Sequence, residues 1–292
     1  MKLCDKRTVI ITGAGGGLGR AYALALAAEG ANVVVNDIRM EAAAAVVADI
    51  HASGGKALAN AGDICSLQGA RAIVAAALAE FGEVHAVVNN AGILRDRMFV
   101  SLSEEDWDEV MRVHLKGHFC LSRVLAERWR NLSKDGIQLD ARIINTTSGA
   151  GLQGSIGQSN YAAAKGGVAT LTLVQAAELA RYGITANALA PAARTHMTEQ
   201  GMPELVKKPA SGFDHYDPAN VAPLVVWLAS AASSQVSGQV FEIEGDRVSV
   251  CDGWRSGPEA RNGGKAYPAD GIGVAIQGLL DTAIPAKKVW GS

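Results

Sequence analysis

The sequence predicts an α/β fold, a doubly wound parallel sheet flanked by helices, and three observations carry that expectation. Short β-branched runs alternate with longer alanine- and leucine-rich stretches of helical period. A glycine-rich turn stands between the first run and the first helical stretch. No composition shift, linker or fixed-period repeat interrupts residues 1–250 of the 292-residue chain. One domain is therefore expected there, followed by a C-terminal extension over 251–292.

Strands are expected at 8–12, 32–37, 57–61, 84–89, 142–147, 185–189 and 239–244, and helices at 17–29, 41–53, 67–81, 104–131, 159–181 and 218–229. Seven strands joined through helices form a parallel sheet, because a crossover returns the chain in the same direction. Ser103 with Asp106 resembles a capping box, and Asp217-Pro218 sets an N-cap before a first-turn proline. Residues 192–216, with Gly201, Pro203, Pro209 and Gly212, have no clear period and are long for a connection, which makes them a lid candidate. Met197, Met202, Leu205 and Phe213, set among Lys207 and Lys208, suit such a lid to an apolar chain on a phosphate-bearing carrier. Gly245-Asp246 followed by RVSV reads as a hairpin, and 252–270 is rich in glycine, proline and charge.

A formal charge of -2 leaves no basic stripe for a polyanion, and no stretch reaches the ~18 apolar residues of a membrane span. Nucleic acid and bilayer are not expected partners. Cys4, Cys65, Cys120 and Cys251 are scattered without paired spacing, so no metal site and no disulfide framework is expected. The opening MKLCDKRTVIITG runs straight into a strand pattern without a secretory leader's apolar run, and a cytoplasmic protein is expected.

Chemistry concentrates in two places. The run VIIT is followed by GAGGGLG, which supplies Gly13, Gly17 and Gly19. Backbone without Cβ atoms can approach a pyrophosphate closely, while the helix start offers free N–H groups and a partial positive charge. Asp37, 18 residues beyond Gly19, can accept bonds from ribose hydroxyls and repel a 2′-phosphate, which favours NAD; Arg39 is the counter-argument, able to receive that phosphate. Asp63, ahead of Ile64, either meets the adenine edge or caps the next helix. The second place is Ser148 with Tyr161 and Lys165, the last two on one helix face. An ammonium and a charged nicotinamide ring both lower a phenol's ordinary pKa near ~10, which makes Tyr161 a proton acceptor. Ser148, at the end of the fifth strand, can hold the substrate oxygen. Singly these are a packing tyrosine, a solvated lysine and a turn serine; the joint pattern is what points to catalysis.

TGAGGGLG, NNAG at 89–92, Ser148 and YAAAK at 161–165, in this order and spacing, resemble the short-chain dehydrogenase/reductase family over about residues 5–245. The resemblance implies a Rossmann-type sheet in which Gly13, Gly17, Leu18 and Gly19 hold the pyrophosphate, Asp37 the ribose, and Asp63 and Ile64 the adenine. It sets Asn90, Ala91 and Gly92 beside the cofactor and makes Ser148, Tyr161 and Lys165 catalytic, Lys165 also bonding the nicotinamide ribose. It further implies dimers or tetramers through the helices at 104–131 and 159–181. NNAGILRDRMF, RVHLKGHF and NALAPAARTHMT are similar, more narrowly, to the dehydrogenase domains of peroxisomal multifunctional enzymes of type 2, which oxidise (3R)-hydroxyacyl-CoA esters.

Two departures from the wider family bear on the site. His114 stands where most members carry an asparagine that anchors a water relay from the catalytic lysine; a histidine bonded only to backbone is the alternative reading. Pro191-Ala192 replaces the common Pro-Gly, with Thr195 near the position that touches the nicotinamide amide. The resulting expectation is NAD-dependent interconversion of a secondary alcohol and a ketone, on a 3-hydroxyacyl-CoA-type substrate. A 3-oxoacyl-thioester reductase or hydroxysteroid dehydrogenase is the alternative within the class, and a non-catalytic nucleotide sensor or scaffold the alternative outside it.

Overall fold

Residues 8–12 read TVIIT, apolar on both sides of the pleat, and that composition suits a strand covered on both faces. In the computed structural model, which describes residues 2–201, 203–285 and 288–291, all five are buried in β1 (Thr8–Thr12). The lid residue Met202 lies outside the described residues. The chain continues through α1 (Gly17–Ala28), β2 (Asn32–Asn36), α2 (Met40–Ala52), β3 (Lys56–Asn60), α3 (Leu67–Phe81) and β4 (Ala86–Asn89). Then come α4 (Glu104–Val110), α5 (Gly117–Lys134), β5 (Ala141–Thr146), α6 (Gly149–Gln153), α7 (Ser159–Leu179) and β6 (Ile184–Ala192). The last elements are α8 (His196–Gly201), α9 (Ala222–Ala229), β7 (Val240–Glu244), β8 (Arg247–Val250) and α10 (Ala269–Leu280).

The strand order is β3-β2-β1-β4-β5-β6-β7-β8, so the winding reverses between β1 and β4 and opens a crevice at their carboxyl ends. Tyr22, Leu26, Val46, Val225 and Leu228 pack one face of the sheet, and Ile73, Leu121, Leu125 and Trp129 the other. Each buried side chain of this size contributes about 1.5–3 kcal/mol by leaving water.

Two expectations need correction. The sheet has eight strands among the described residues, because the 245–246 hairpin adds β8 antiparallel to β7 as an edge. A two-residue turn of glycine type allows only an antiparallel return, so the seven parallel strands acquire one opposed neighbour. The helix expected over 104–131 is also not uniform: between α4 and α5, Met111–Lys116 form a wider π-helical turn. One extra residue in that turn shifts the helical phase and carries His114 into the interior, 1% exposed.

The caps follow the sequence in part. Ser103 Oγ accepts from Asp106 N at 3.1 Å, but the Asp106 carboxylate faces Arg95 at 3.7 Å instead of returning to the cap. Asp217 Oδ1 accepts from Ala219 N at 2.9 Å. Arg194 ties the base of 192–216 together, with an ion pair to Asp214 and a bond to Val206 O at 2.8 Å. Among the described residues no helix is long and apolar enough to cross a membrane, and no group of three acidic, histidine or cysteine side chains is arranged for a metal ion.

Candidate active site

The glycine loop opens the site at the carboxyl end of β1. Gly13 has φ +62° and Gly17 φ +51°, the left-handed region that disfavours side chains. A Cβ on Gly13 would lie 2.8 Å from Ala91 Cα, and one on Gly19 would strike Gly13 O, so the loop, α1 and the NNAG segment approach at backbone distance. Gly16 caps α1 without any side-chain bond, which leaves the first-turn N–H groups, Leu18 among them, facing the crevice mouth. Asn90 spends its amide on Thr12 O at 3.0 Å, and Thr12 Oγ1 accepts from Asn90 N and Ala91 N at 2.9 and 3.0 Å. Asn90 therefore buttresses the loop, and Gly92 gives way to the His114 ring, against which a Cβ would collide.

Asp37 projects from the end of β2 over this loop. Its Oδ2 accepts from Gly15 N at 3.1 Å and its Oδ1 from Arg39 N at 3.0 Å, while the Arg39 side chain is 70% exposed at 3.5 Å. Each carboxylate oxygen keeps a further lone pair for a ribose hydroxyl. Asp63 does not cap α3: that role belongs to Ser66, whose Oγ accepts from Gly69 N at 3.0 Å. Asp63 accepts from Cys65 N at 2.9 Å, which with Arg112 nearby holds its carboxyl below the ordinary range. Ile64 is buried against Gly117. On the opposite wall Pro191 pairs with Ile243 in the sheet, and the Thr195 methyl sits 3.4 Å from the Cβ point of Gly17. Thr195 thus stands at the glycine loop, with Thr198 Oγ1 accepting from its N–H at 2.7 Å. These groups fit a dinucleotide: a cradle that a Cβ would fill, an uncapped helix start, and a carboxylate at the ribose position.

Ser148, Tyr161 and Lys165 lie where α6 and α7 meet β5. Gly151 permits that contact, since a Cβ there would be 2.6 Å from Gly166 N and from the Lys165 carbonyl carbon. Ser148 caps α6, accepting from Ala150 N at 3.2 Å, and its side chain is close enough to the Tyr161 hydroxyl to draw the phenol's pKa down. Lys165 Nζ lies 5.8 Å from the centre of the Tyr161 ring and donates to Thr146 O at 2.6 Å. Asn160, fully buried, aligns the start of α7 by donating to Arg95 O and accepting from Tyr161 N.

The electrostatics differ from the sequence expectation of a lowered phenol. Burial pushes Tyr161 up, the Ser148 hydrogen bond drawing it back in part, and burial pulls Lys165 down from 10.5 to about 7. Both groups are desolvated, and desolvation disfavours the charged form of each. The lysine charge is also partly spent on the Thr146 carbonyl. The nicotinamide dinucleotide supplies, when bound, the hydride acceptor or donor and a positive ring that favours the phenolate.

His114 Nε2 lies 2.7 Å from Ile93 O and 2.9 Å from Ile93 N, with its ring edge-on to Tyr161 at 5.1 Å. Burial and the Lys165 charge hold it at about 3, a neutral imidazole at any ordinary pH. The backbone-bonded alternative is therefore the geometry present, although Nδ1 finds no hydrogen-bond partner among the described residues. His118, one turn on, was not singled out from sequence. It is buried beside Lys165 and Thr146 and kept well below its ordinary value by burial. Its spacing of four from His114 was the available signal. Below the site, Asn89 bonds Asn145 and Ser122, and Asn145 bonds Thr172 and Gln175, all at 2.9 Å, which locks β4, β5, α5 and α7 together.

Comparisons with known proteins agree with this arrangement. The family described as short chain dehydrogenase matches residues 7–204. Hydroxyacyl-CoA dehydrogenase ChsB1 of Mycobacterium tuberculosis is 46% identical over 251 residues, 84% of this chain and 79% of that protein. Peroxisomal multifunctional enzyme type 2 of Mus musculus is 43% identical over 248 residues, 82% of this chain but only 32% of that larger protein. A crystal structure of a short chain dehydrogenase from Mycobacterium avium is 49% identical, covers 99% of this chain and all of the other, and superposes with a TM-score of 0.91. The chain belongs to the short-chain dehydrogenase family of nicotinamide-dependent oxidoreductases acting on CH-OH groups.

Proposed function

We propose that the protein is an NAD-dependent dehydrogenase of 3-hydroxyacyl-CoA-type secondary alcohols, and the observation that carries the chemistry is the grouping of half-buried Ser148 and Tyr161 with buried Lys165, whose Nζ lies 5.8 Å from the centre of the Tyr161 ring. Ser148 orients the substrate hydroxyl, and Tyr161 takes its proton. Lys165 holds the local field, its ammonium fixed in place by donation to Thr146 O. The substrate class is supported by the relatives, one of them named for hydroxyacyl-CoA. NAD over NADP is supported by the Asp37 carboxylate on the loop, against the single exposed Arg39. A panel of 3-hydroxybutyryl-CoA, longer 3-hydroxyacyl-CoA esters and hydroxysteroids, run with NAD and NADP, tests both parts. Turnover of the CoA esters with NAD at tenfold or more over NADP is the expected result. Comparable efficiency with NADP, or turnover of steroids alone, overturns the corresponding half, and NADH binding without turnover of anything favours the sensor reading.

His114 acts by position in this reading, holding Ile93 and bracing the Tyr161 ring. Because it is neutral above about pH 3, His114→Asn leaves the midpoint of the activity profile unmoved between pH 5 and 9, whatever it does to KM. A shifted midpoint would give His114 a titrating role.

Residues 1–250 act as one catalytic unit, 192–216 as its lid, and 251–292 as an extension. The oligomeric reading is supported by exposed Phe119 on α5 and Leu173 and Val174 on α7, and light scattering checks it. The cytoplasmic reading is supported by Cys4, Cys65 and Cys120, which are buried and form no disulfide among the described residues, and cell fractionation checks it.

A further inference from the structure

The chain beyond β8 is mostly exposed, α10 included, where Val274 and Leu280 lie open. It comes back to the catalytic half at its end. Trp290 forms an isolated parallel bridge with Ser155: its carbonyl accepts from Ile156 N at 2.9 Å and its N–H donates to Gly154 O at 3.3 Å. The segment it docks on joins α6, which follows Ser148, to α7, which carries Tyr161. On its other side that segment is held by Arg97, whose N–H donates to Gly157 O at 2.8 Å.

The indole is aimed at the catalytic serine's neighbour. Cζ2 of Trp290 lies 3.7 Å from the point where a Cβ on Gly149 would stand, and Glu242 Oε1 lies 3.9 Å from the same point. Val289 methyl groups lie 3.4 and 3.5 Å from the equivalent point on Gly154, at φ +85°. Two glycines thus leave room for the tail to lie flat on the α6 turn. The indole remains 48% exposed, a large apolar surface presented beside Gly149, the residue that follows Ser148. An aromatic ring held by backbone bonds loses little freedom when it meets a ligand, which suits a pocket wall.

We propose that Trp290 is a specificity-determining residue: it walls the substrate side of Ser148 and sets how large a group beyond the carbinol carbon the site admits. The proposal rests on the alcohol-oxidation reading above and deepens it. Part of the selectivity thus comes from the last residues of the chain, far in sequence from the residues that carry out the reaction.

The test compares wild type, Trp290→Ala and Trp290→Phe over short, medium and long 3-hydroxyacyl-CoA esters and hydroxysteroids, with KM for NAD measured alongside. Trp290→Ala is expected to change the long-to-short ratio of kcat/KM by about tenfold through KM for the alcohol, with KM for NAD unmoved, and Trp290→Phe to stay near wild type. A ratio within about twofold of wild type in Trp290→Ala overturns the proposal. Hydrogen exchange at the Ile156 amide gives a second readout: protection in wild type is expected, and its absence also overturns the proposal. Failure of the substrate reading shows itself separately, as wild-type inactivity on every CoA ester, and the steroid ratios then still report on Trp290.

Discussion

Replacing Tyr161 by phenylalanine lowers kcat on the order of 10³-fold while NADH binding stays within about twofold of wild type. The hydroxyl is the only group lost, and it is the group whose pKa Ser148 draws down and that takes the substrate proton in the proposed reaction. The ring stays, and with it the edge-on contact to His114 at 5.1 Å, so the fold around α7 keeps its packing. The glycine loop, Asp37 and Thr195 are untouched, which is why cofactor affinity holds. Steady-state rates with a fluorescence titration of NADH give both quantities. Retention of more than about a tenth of the activity would remove Tyr161 from proton transfer and leave the family fold without its assigned chemistry.

The second large effect runs in two directions at once: Lys165→Met abolishes most of the activity and stabilises the protein. Lys165 is 2% exposed, and burial brings it from 10.5 to about 7. Between those values the unfolded chain binds a proton that the folded chain does not, so wild-type stability rises with pH through that window. Below pH 7 the buried ammonium weighs on the folded state in full, by about 5 kcal/mol at 1.36 kcal/mol per unit. Methionine has no such charge, and losing the bond to Thr146 O returns about 1 kcal/mol of the gain. Urea unfolding of both proteins at a series of pH values is the measurement. The variant is expected to be the more stable at pH 7, with the difference shrinking as pH rises toward 9.5. A difference that does not change with pH would mean that Lys165 is charged in the folded protein at all these pH values. The activity loss, expected at 10²-fold or more, follows from removal of the only ammonium near the Tyr161 ring among the described residues.

These two predictions show where a site trades stability for chemistry. A lysine packed among His114, His118 and Thr146 is a poor choice for folding and a good one for holding a field that water would otherwise screen.

Several parts of this arrangement were legible in the residues alone. Alternation of β-branched runs with helical stretches placed β1 and α3 to the residue, because fully buried parallel strands and amphipathic helices leave local periods that need no partner to be read. The glycine loop and the Tyr161–Lys165 spacing were legible for the same reason, being constraints of a few consecutive bonds. Gly245-Asp246 announced the hairpin, yet the count of seven strands missed that its second arm joins the sheet, since an exposed edge strand carries no strong alternation. The π-helical turn at Met111–Lys116 left no mark in a pattern that stayed apolar across it.

The amino-acid order by itself determined where the strands and the glycine cradle form and pointed to Ser148, Tyr161 and Lys165 as one group, because each signal lies in residues close along the chain. Only the tertiary structure decided the directions in which burial shifts Tyr161 and Lys165, the inward turn of His114, the approach of Thr195 to Gly17 and the return of Trp290 to Gly154. Those depend on desolvation and on contacts between segments tens to hundreds of residues apart. Such quantities are sums over a folded neighbourhood, and no local pattern contains them.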